Sequence, residues 1–105
     1  MHVVDTSTIE VAGIYREFLR APDLSAGIYL HPAGADVPQN PHTEDEVYYV
    51  IEGDGSIRIG ETDHAAAPGV LAYVPAGVAH HFHSVTRDLR VLVFFAPAEY
   101  SKASA

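Results

Sequence analysis

Glycine and proline punctuate this chain at short intervals, and that spacing constrains the fold more than any other feature. Gly27, Pro32, Gly34, Pro38, Pro41, Gly53, Gly55, Gly60, Pro68, Gly69, Pro75 and Gly77 leave only short runs between them, rich in Val, Ile, Tyr and Phe. Such runs read as many short strands, and so as a barrel or a sandwich. Residues 15–20 and 25–31 flank Ala21-Pro22-Asp23, a plausible hairpin turn. Residues 46–52 form a second strand closed by Gly53-Asp54-Gly55, with residues 56–59 expected to pair back onto it. Residues 70–74 end at Pro75-Ala76-Gly77, and residues 79–85 and 89–95 are expected to meet across the polar turn Thr86-Arg87-Asp88. Only residues 5–14 could hold a helical turn, since Asp5, Thr6 and Ser7 are good N-cap types, and Gly13 opposes even that. The chain reads as all-β.

Composition sets the outer bounds. At 105 residues, 48% hydrophobic and 19% charged, the expectation is one globular domain over residues 1–105. Cysteine is absent, so disulfides, thiolate metal sites and cysteine nucleophiles are excluded together. No apolar run approaches the ~20 residues of a membrane span. The opening Met-His-Val-Val-Asp lacks the basic and apolar regions of a secretory signal, which makes a cytoplasmic protein the expectation. Fourteen acidic residues against six basic ones give a formal charge of -8. That balance repels phosphate, so neither nucleic acid nor membrane is an expected partner.

Seven histidines are many for this length, and five fall between Pro41 and Ser84. Strand alternation lets Asn40 share a face with His42, and His80 share one with Phe82 and Ser84. Glu46, Tyr48 and Val50 form a third same-face series. If the sheet closes into a small barrel, His42, Glu46 and His80 can converge on one point. Two imidazoles and a carboxylate suit a non-haem Fe(II) site with open positions, and equally suit Zn(II) or Mn(II). Taken singly, each of the three also reads as an ordinary loop or surface residue. His81 and His83 should point away from the interior if His80 points in. His31 shares a strand face with Tyr29, upstream of Gly34, and is a candidate pocket residue.

Two segments carry a family resemblance. Gly34, five residues, Asn40-Pro41-His42, three residues, Glu46, six residues and Gly53 fit the spacing of the first cupin motif. Gly69, five residues, Pro75-Ala76-Gly77, two residues and His80 fit the second, with Ser84 where the family pattern has Asn. The chain resembles a small single-domain cupin, with motif one at 34–53 and motif two at 69–84. The resemblance implies a β-barrel of the jelly-roll, or double-stranded β-helix, type. It implies one divalent metal ion per chain, Fe(II), Mn(II), Zn(II) or Ni(II), held by His42, Glu46 and His80. Asn40 stands where the family has the first histidine of its pair; an amide oxygen can ligate a hard cation but is a weaker donor than imidazole to Fe, Ni or Zn.

The function expected from this resemblance is a metal-dependent enzyme of dioxygenase, isomerase or lyase type acting on a small oxygenated organic molecule. Glu46 would then be ligand or proton carrier, and Gln39, Tyr48, Phe82 and His31 would line the substrate pocket. The alternatives are a metal- or ligand-binding module without turnover, and a structural barrel with an empty site. Leu89 to Phe95 is too apolar on both faces for a strand with one wet side, so a homodimer is expected.

Overall fold

The computed structural model describes residues 3–37, 39 and 41–101. Among the described residues six antiparallel strands carry the fold: β1 (Tyr15–Ala21), β2 (Leu24–His31), β3 (Asp45–Ile59), β4 (Thr62–Ala66), β5 (Leu71–Val74) and β6 (His80–Ala96). Their order is β1-β2-β6-β3-β4, with β5 pairing the first half of β3. The all-β reading holds. A single 3-10 turn at Thr6–Thr8 lies within the stretch expected to tolerate one, and Asp5 caps it by accepting from the Ser7 amide at 3.0 Å.

β3 and β6 organise the molecule. They pair along almost their full lengths, and the register slips three times, between Val50 and Ser56 on β3. At those slips both strands bend, so each passes from one wall of the barrel to the other. The inward series on β6 records the bend: Phe82, Val85, Leu89, Val91, Val93 and Phe95 are all buried, with steps of three and four on either side of Val85 before regular alternation resumes. Ser84, at φ 53°, makes the first of those irregular steps and is turned out to solvent.

Two expected turns are therefore not turns. Gly53-Asp54-Gly55 does not close a hairpin, and Thr86-Arg87-Asp88 does not separate two strands. Both lie in continuous strands and face each other, Asp54 opposite Arg87. Gly53 takes φ 106°, and a Cβ there would collide with the Asp88 carbonyl and lie 2.7 Å from the Leu89 Cα. The glycine serves a close crossing of two strands, a demand that selects the same residue as a tight turn does. The hairpin partner of the second half of β3 is β4, which the sequence reading missed. Gly60, at φ 57°, opens the two-residue turn between them. β4 is a polar, largely exposed edge strand, and Thr-Asp-His carries little strand signal. The β1–β2 hairpin forms about Pro22-Asp23 as expected.

Candidate metal centre

The two motif segments are stitched together by backbone bonds. The Gly77 amide donates to the His42 carbonyl at 2.8 Å, and the Ala76 amide donates to the Asp45 carboxylate at 2.9 Å. The Pro75-Ala76-Gly77 turn is thereby fixed against the loop that enters β3. His80 opens β6, Glu46 is the second residue of β3, and His42 sits in the preceding loop.

Their donor atoms converge. Glu46 Oε1 lies 3.2 Å from His80 Nε2 and 3.5 Å from His42 Nδ1. The three atoms fall within 4.8 Å of one another. All three are buried, and none has a hydrogen-bond partner among the described residues. Donors ~2.1 Å from one ion stand ~3.0–3.4 Å apart at octahedral and tetrahedral angles, and the two distances from Glu46 lie close to that spacing. Each imidazole also has its outer nitrogen committed. His80 Nδ1 donates to the Val78 carbonyl at 2.9 Å, and His42 Nε2 donates to Glu99 Oε2 at 2.9 Å. Both rings thus turn a lone pair inward when neutral, an outer-sphere arrangement usual for metal-bound histidine. Asn40, the possible further ligand, lies outside the described residues.

Electrostatics keep the centre ionised. Burial works against an imidazolium at His42, but the carboxylates of Glu46 and Glu99 outweigh it and push the ring up to about 9. His80 is raised for the same reason, burial opposing and Glu46 favouring the charge. Burial alone would lift Glu46, yet the neighbouring His42 and His80 rings and the Tyr48 phenol hold it below the usual carboxylate range.

A cavity of about 380 Å³ opens beside His42 and Glu46, walled by Ile14, Val37, Val93 and Phe95 and by the phenols of Tyr15, Tyr29 and Tyr48. Gln39 lines it too. Its amide bridges two walls, accepting from the Phe82 amide at 3.1 Å and donating to the Tyr48 hydroxyl at 3.4 Å. Phe82 and His31 stand behind this lining. Phe82 packs at 5.5 Å on Tyr29 and 5.0 Å on Tyr48, and His31 stacks on Tyr29 at 6.0 Å, its Nδ1 donating to the Pro32 carbonyl at 3.0 Å. They support the wall and are not among the described residues that face the cavity. His81 is exposed, and His83 pairs with Asp63 at 2.8 Å on the outer face.

Sequence reasoning missed Tyr15, Tyr29 and Glu99 as site residues. Tyr15 and Tyr29 are direct cross-strand partners, and Tyr15 has room because residue 27 is glycine: a Cβ there would collide with the Tyr15 hydroxyl and Cζ and lie 2.6 Å from its Cε1. That juxtaposition was readable from the expected hairpin. Glu99 offered no signal, since no spacing rule ties it to motifs that end at Ser84.

The comparisons with known proteins agree with this architecture. The cupin domain family matches residues 27–95. An uncharacterised protein of Streptomyces coelicolor is 48% identical over 87 residues, 83% of each chain. Among solved structures, an RmlC-like cupin from Shewanella frigidimarina superposes with a TM-score of 0.79 at 20% identity, over 93% of this chain and 92% of that one. KdgF from Halomonas sp. gives 0.70 at 23% identity, over 79% and 76%. The DMSP lyase DddQ from Ruegeria pomeroyi gives 0.68 at 25% identity over 72% of this chain, which spans only 39% of that longer one. With the motif spacings, the barrel and the converging donor atoms in place, the chain belongs to the cupin domain family.

Proposed function

We propose that this cupin is a metal-dependent enzyme that binds one divalent cation, Fe(II), Mn(II), Zn(II) or Ni(II), between His42, Glu46 and His80. Its substrate would be a small oxygenated molecule in the adjoining cavity. The observation that carries the reading is the convergence of three buried donor atoms, without partners among the described residues, beside a cavity that His42 and Glu46 line. Bound there, such an ion would polarise a carbonyl or enolate oxygen. The chain's own residues do the rest. Val37, Val93 and Phe95 exclude water from one side, and the Tyr15 and Tyr29 hydroxyls, buried and without partners among the described residues, offer hydrogen bonds to substrate oxygens. Burial raises both phenols, so they act as neutral donors. Glu46 would stay on the ion or move a proton to and from the substrate. Oxygenase, isomerase and lyase chemistry all suit this arrangement, and a lyase among the solved cupins of this fold supports keeping that class.

Elemental analysis of protein purified without chelator, for the native chain and His80→Ala, tests the reading. One ion per chain, lost in the variant, is expected. No uptake of any of the four metals would refute it. Metal without turnover on carbonyl or hydroxy-acid substrates would assign the role of a binding module instead.

We also propose that two copies associate through the outer face of β3, β5 and β6. There the cross-strand rows Leu71–Tyr49–Leu92 and Tyr73–Val47–Phe94 form a contiguous apolar surface. Tyr49, Leu71 and Tyr73 are its exposed members.

A further inference from the structure

We propose that Glu99 is a positioning residue for the metal ligand His42, delivered by the strap of residues that follows β6. The inference rests on the metal-site reading above. His42 stands in a loop, so no strand fixes its ring. His80 finds its outer acceptor two residues away on its own turn, whereas the acceptor for His42 comes from 57 residues along the chain.

The strap is anchored on both sides of Glu99. Its own amide donates to the Ser25 hydroxyl at 2.8 Å, and the Tyr100 amide donates to the Glu44 carboxylate at 2.7 Å. Arg20 donates to the Glu99 carbonyl at 2.9 Å. Ser25 and Glu44 are almost fully buried, and the strap satisfies polar groups on both. Around the ring, Phe95 packs at 4.6 Å and Tyr100 stacks at 5.3 Å, so His42 is held between aromatic rings while Glu99 accepts a hydrogen bond from its Nε2.

A carboxylate only accepts, so its place at Nε2 makes that nitrogen the donor and leaves Nδ1 for the ion. Nδ1 is the atom that faces Glu46 and lacks a hydrogen-bond partner among the described residues. Without Glu99 the ring could exchange tautomers or turn its other edge inward. The carboxylate also makes the imidazole a more basic ligand.

Co(II) serves as the probe, because its visible absorption reports the ligands and their geometry. Affinity is read by competition with a chromophoric chelator on the full chain, for the native protein, Glu99→Ala, Glu99→Leu and Glu99→Gln, with far-UV circular dichroism as the folding control. Loss of the acceptor in Glu99→Ala or Glu99→Leu is expected to weaken Co(II) binding roughly 10- to 100-fold and to alter the spectrum. Glu99→Gln, whose amide oxygen still accepts from Nε2, should restore binding to within a few-fold of native. Folded Ala or Leu variants with native affinity and an unchanged spectrum would overturn the proposal. So would a Gln variant as weak as Ala, since that would make Glu99 a source of charge rather than orientation. If the native chain binds no Co(II), the metal-site reading itself fails and this inference falls with it. Binding that is intact in the native chain and indifferent to residue 99 removes the positioning role alone.

Discussion

Two carboxylates flank one imidazole at His42, and the consequences for stability and for metal uptake run in opposite directions with pH. The folded ring titrates at about 9 against 6.5 in an unfolded chain. Its stabilisation is therefore complete below pH ~6.5 and is lost as pH rises through about 9. His80 is raised too and contributes with the same sign. Screening at the barrel mouth leaves on the order of 1 kcal/mol, so the metal-free chain should lose roughly 4–8 °C in Tm between those limits. A melting series from pH 6 to 9.5 measures it, and His42→Gln should flatten the slope. Metal binding demands the neutral ring, so log affinity should rise by about one per pH unit over the same window, with proton release on loading. The Tyr29 hydroxyl supplies a second prediction. It is buried with no partner among the described residues, so Tyr29→Phe removes an unsatisfied polar atom and should leave Tm unchanged or raise it by about 1 kcal/mol in equivalent stability. Turnover should fall in the same variant if the hydroxyl serves substrate. A lower Tm would show that the hydroxyl is satisfied in solution.

At the scale of elements, the bends in β3 and β6 decide where the site forms, because they bring the start of β6 across the interior from the start of β3. Tyr48 and His80 lie 5.8 Å apart, ring centre to ring centre, across that interior. Gly53→Ala should be among the most damaging single changes in the chain. It adds a Cβ against the Asp88 carbonyl and Leu89 backbone at φ 106°, where neither strand can give way without breaking register. A loss of about 3 kcal/mol or more is expected by denaturant titration, and a loss under 1 kcal/mol would mean that the crossing relaxes. This bend also marks the limit of what the sequence discloses. His42, Glu46 and His80 were legible because each sits at a fixed interval from a glycine or proline that shapes its own strand end. The strand count was not, because Gly-Asp-Gly satisfies a hairpin turn and a strand crossing equally well, and the choice is made by Asp88 and Leu89 more than thirty residues away. β4 escaped for the complementary reason: an edge strand exposed on both faces along nearly all its length has no alternation to display. Glu99 lay beyond reach because its partners, His42 and Ser25, are joined to it only by the closed barrel.

For the whole molecule, net charge and surface pull against each other. The formal charge of -8 makes copies of the chain repel, while the rows through Tyr49 and Tyr73 offer apolar area that water covers poorly. Inside the chain, Leu89, Val91, Val93 and Phe95 fill the barrel, so only the other face of that strand, with Leu92 and Phe94 half-buried, is left for a partner. A dimer built on this face should therefore tighten with salt, since screening removes the repulsion and leaves the apolar contact in place. Light scattering at micromolar protein should give a dimer mass whose dissociation constant falls between 20 and 500 mM NaCl. Leu71→Arg, at the most exposed apolar position of β5, should return the mass to a monomer without changing the fold, because that side chain contributes little to the protomer's own core. Because the face lies on the outside of the barrel wall, metal content should be the same in monomer and dimer. A native chain that is monomeric at every salt concentration would refute the association, and the exposed tyrosines of β3 and β5 would then be ordinary surface residues. A dimer that weakens with salt would instead point to a polar interface elsewhere on the barrel.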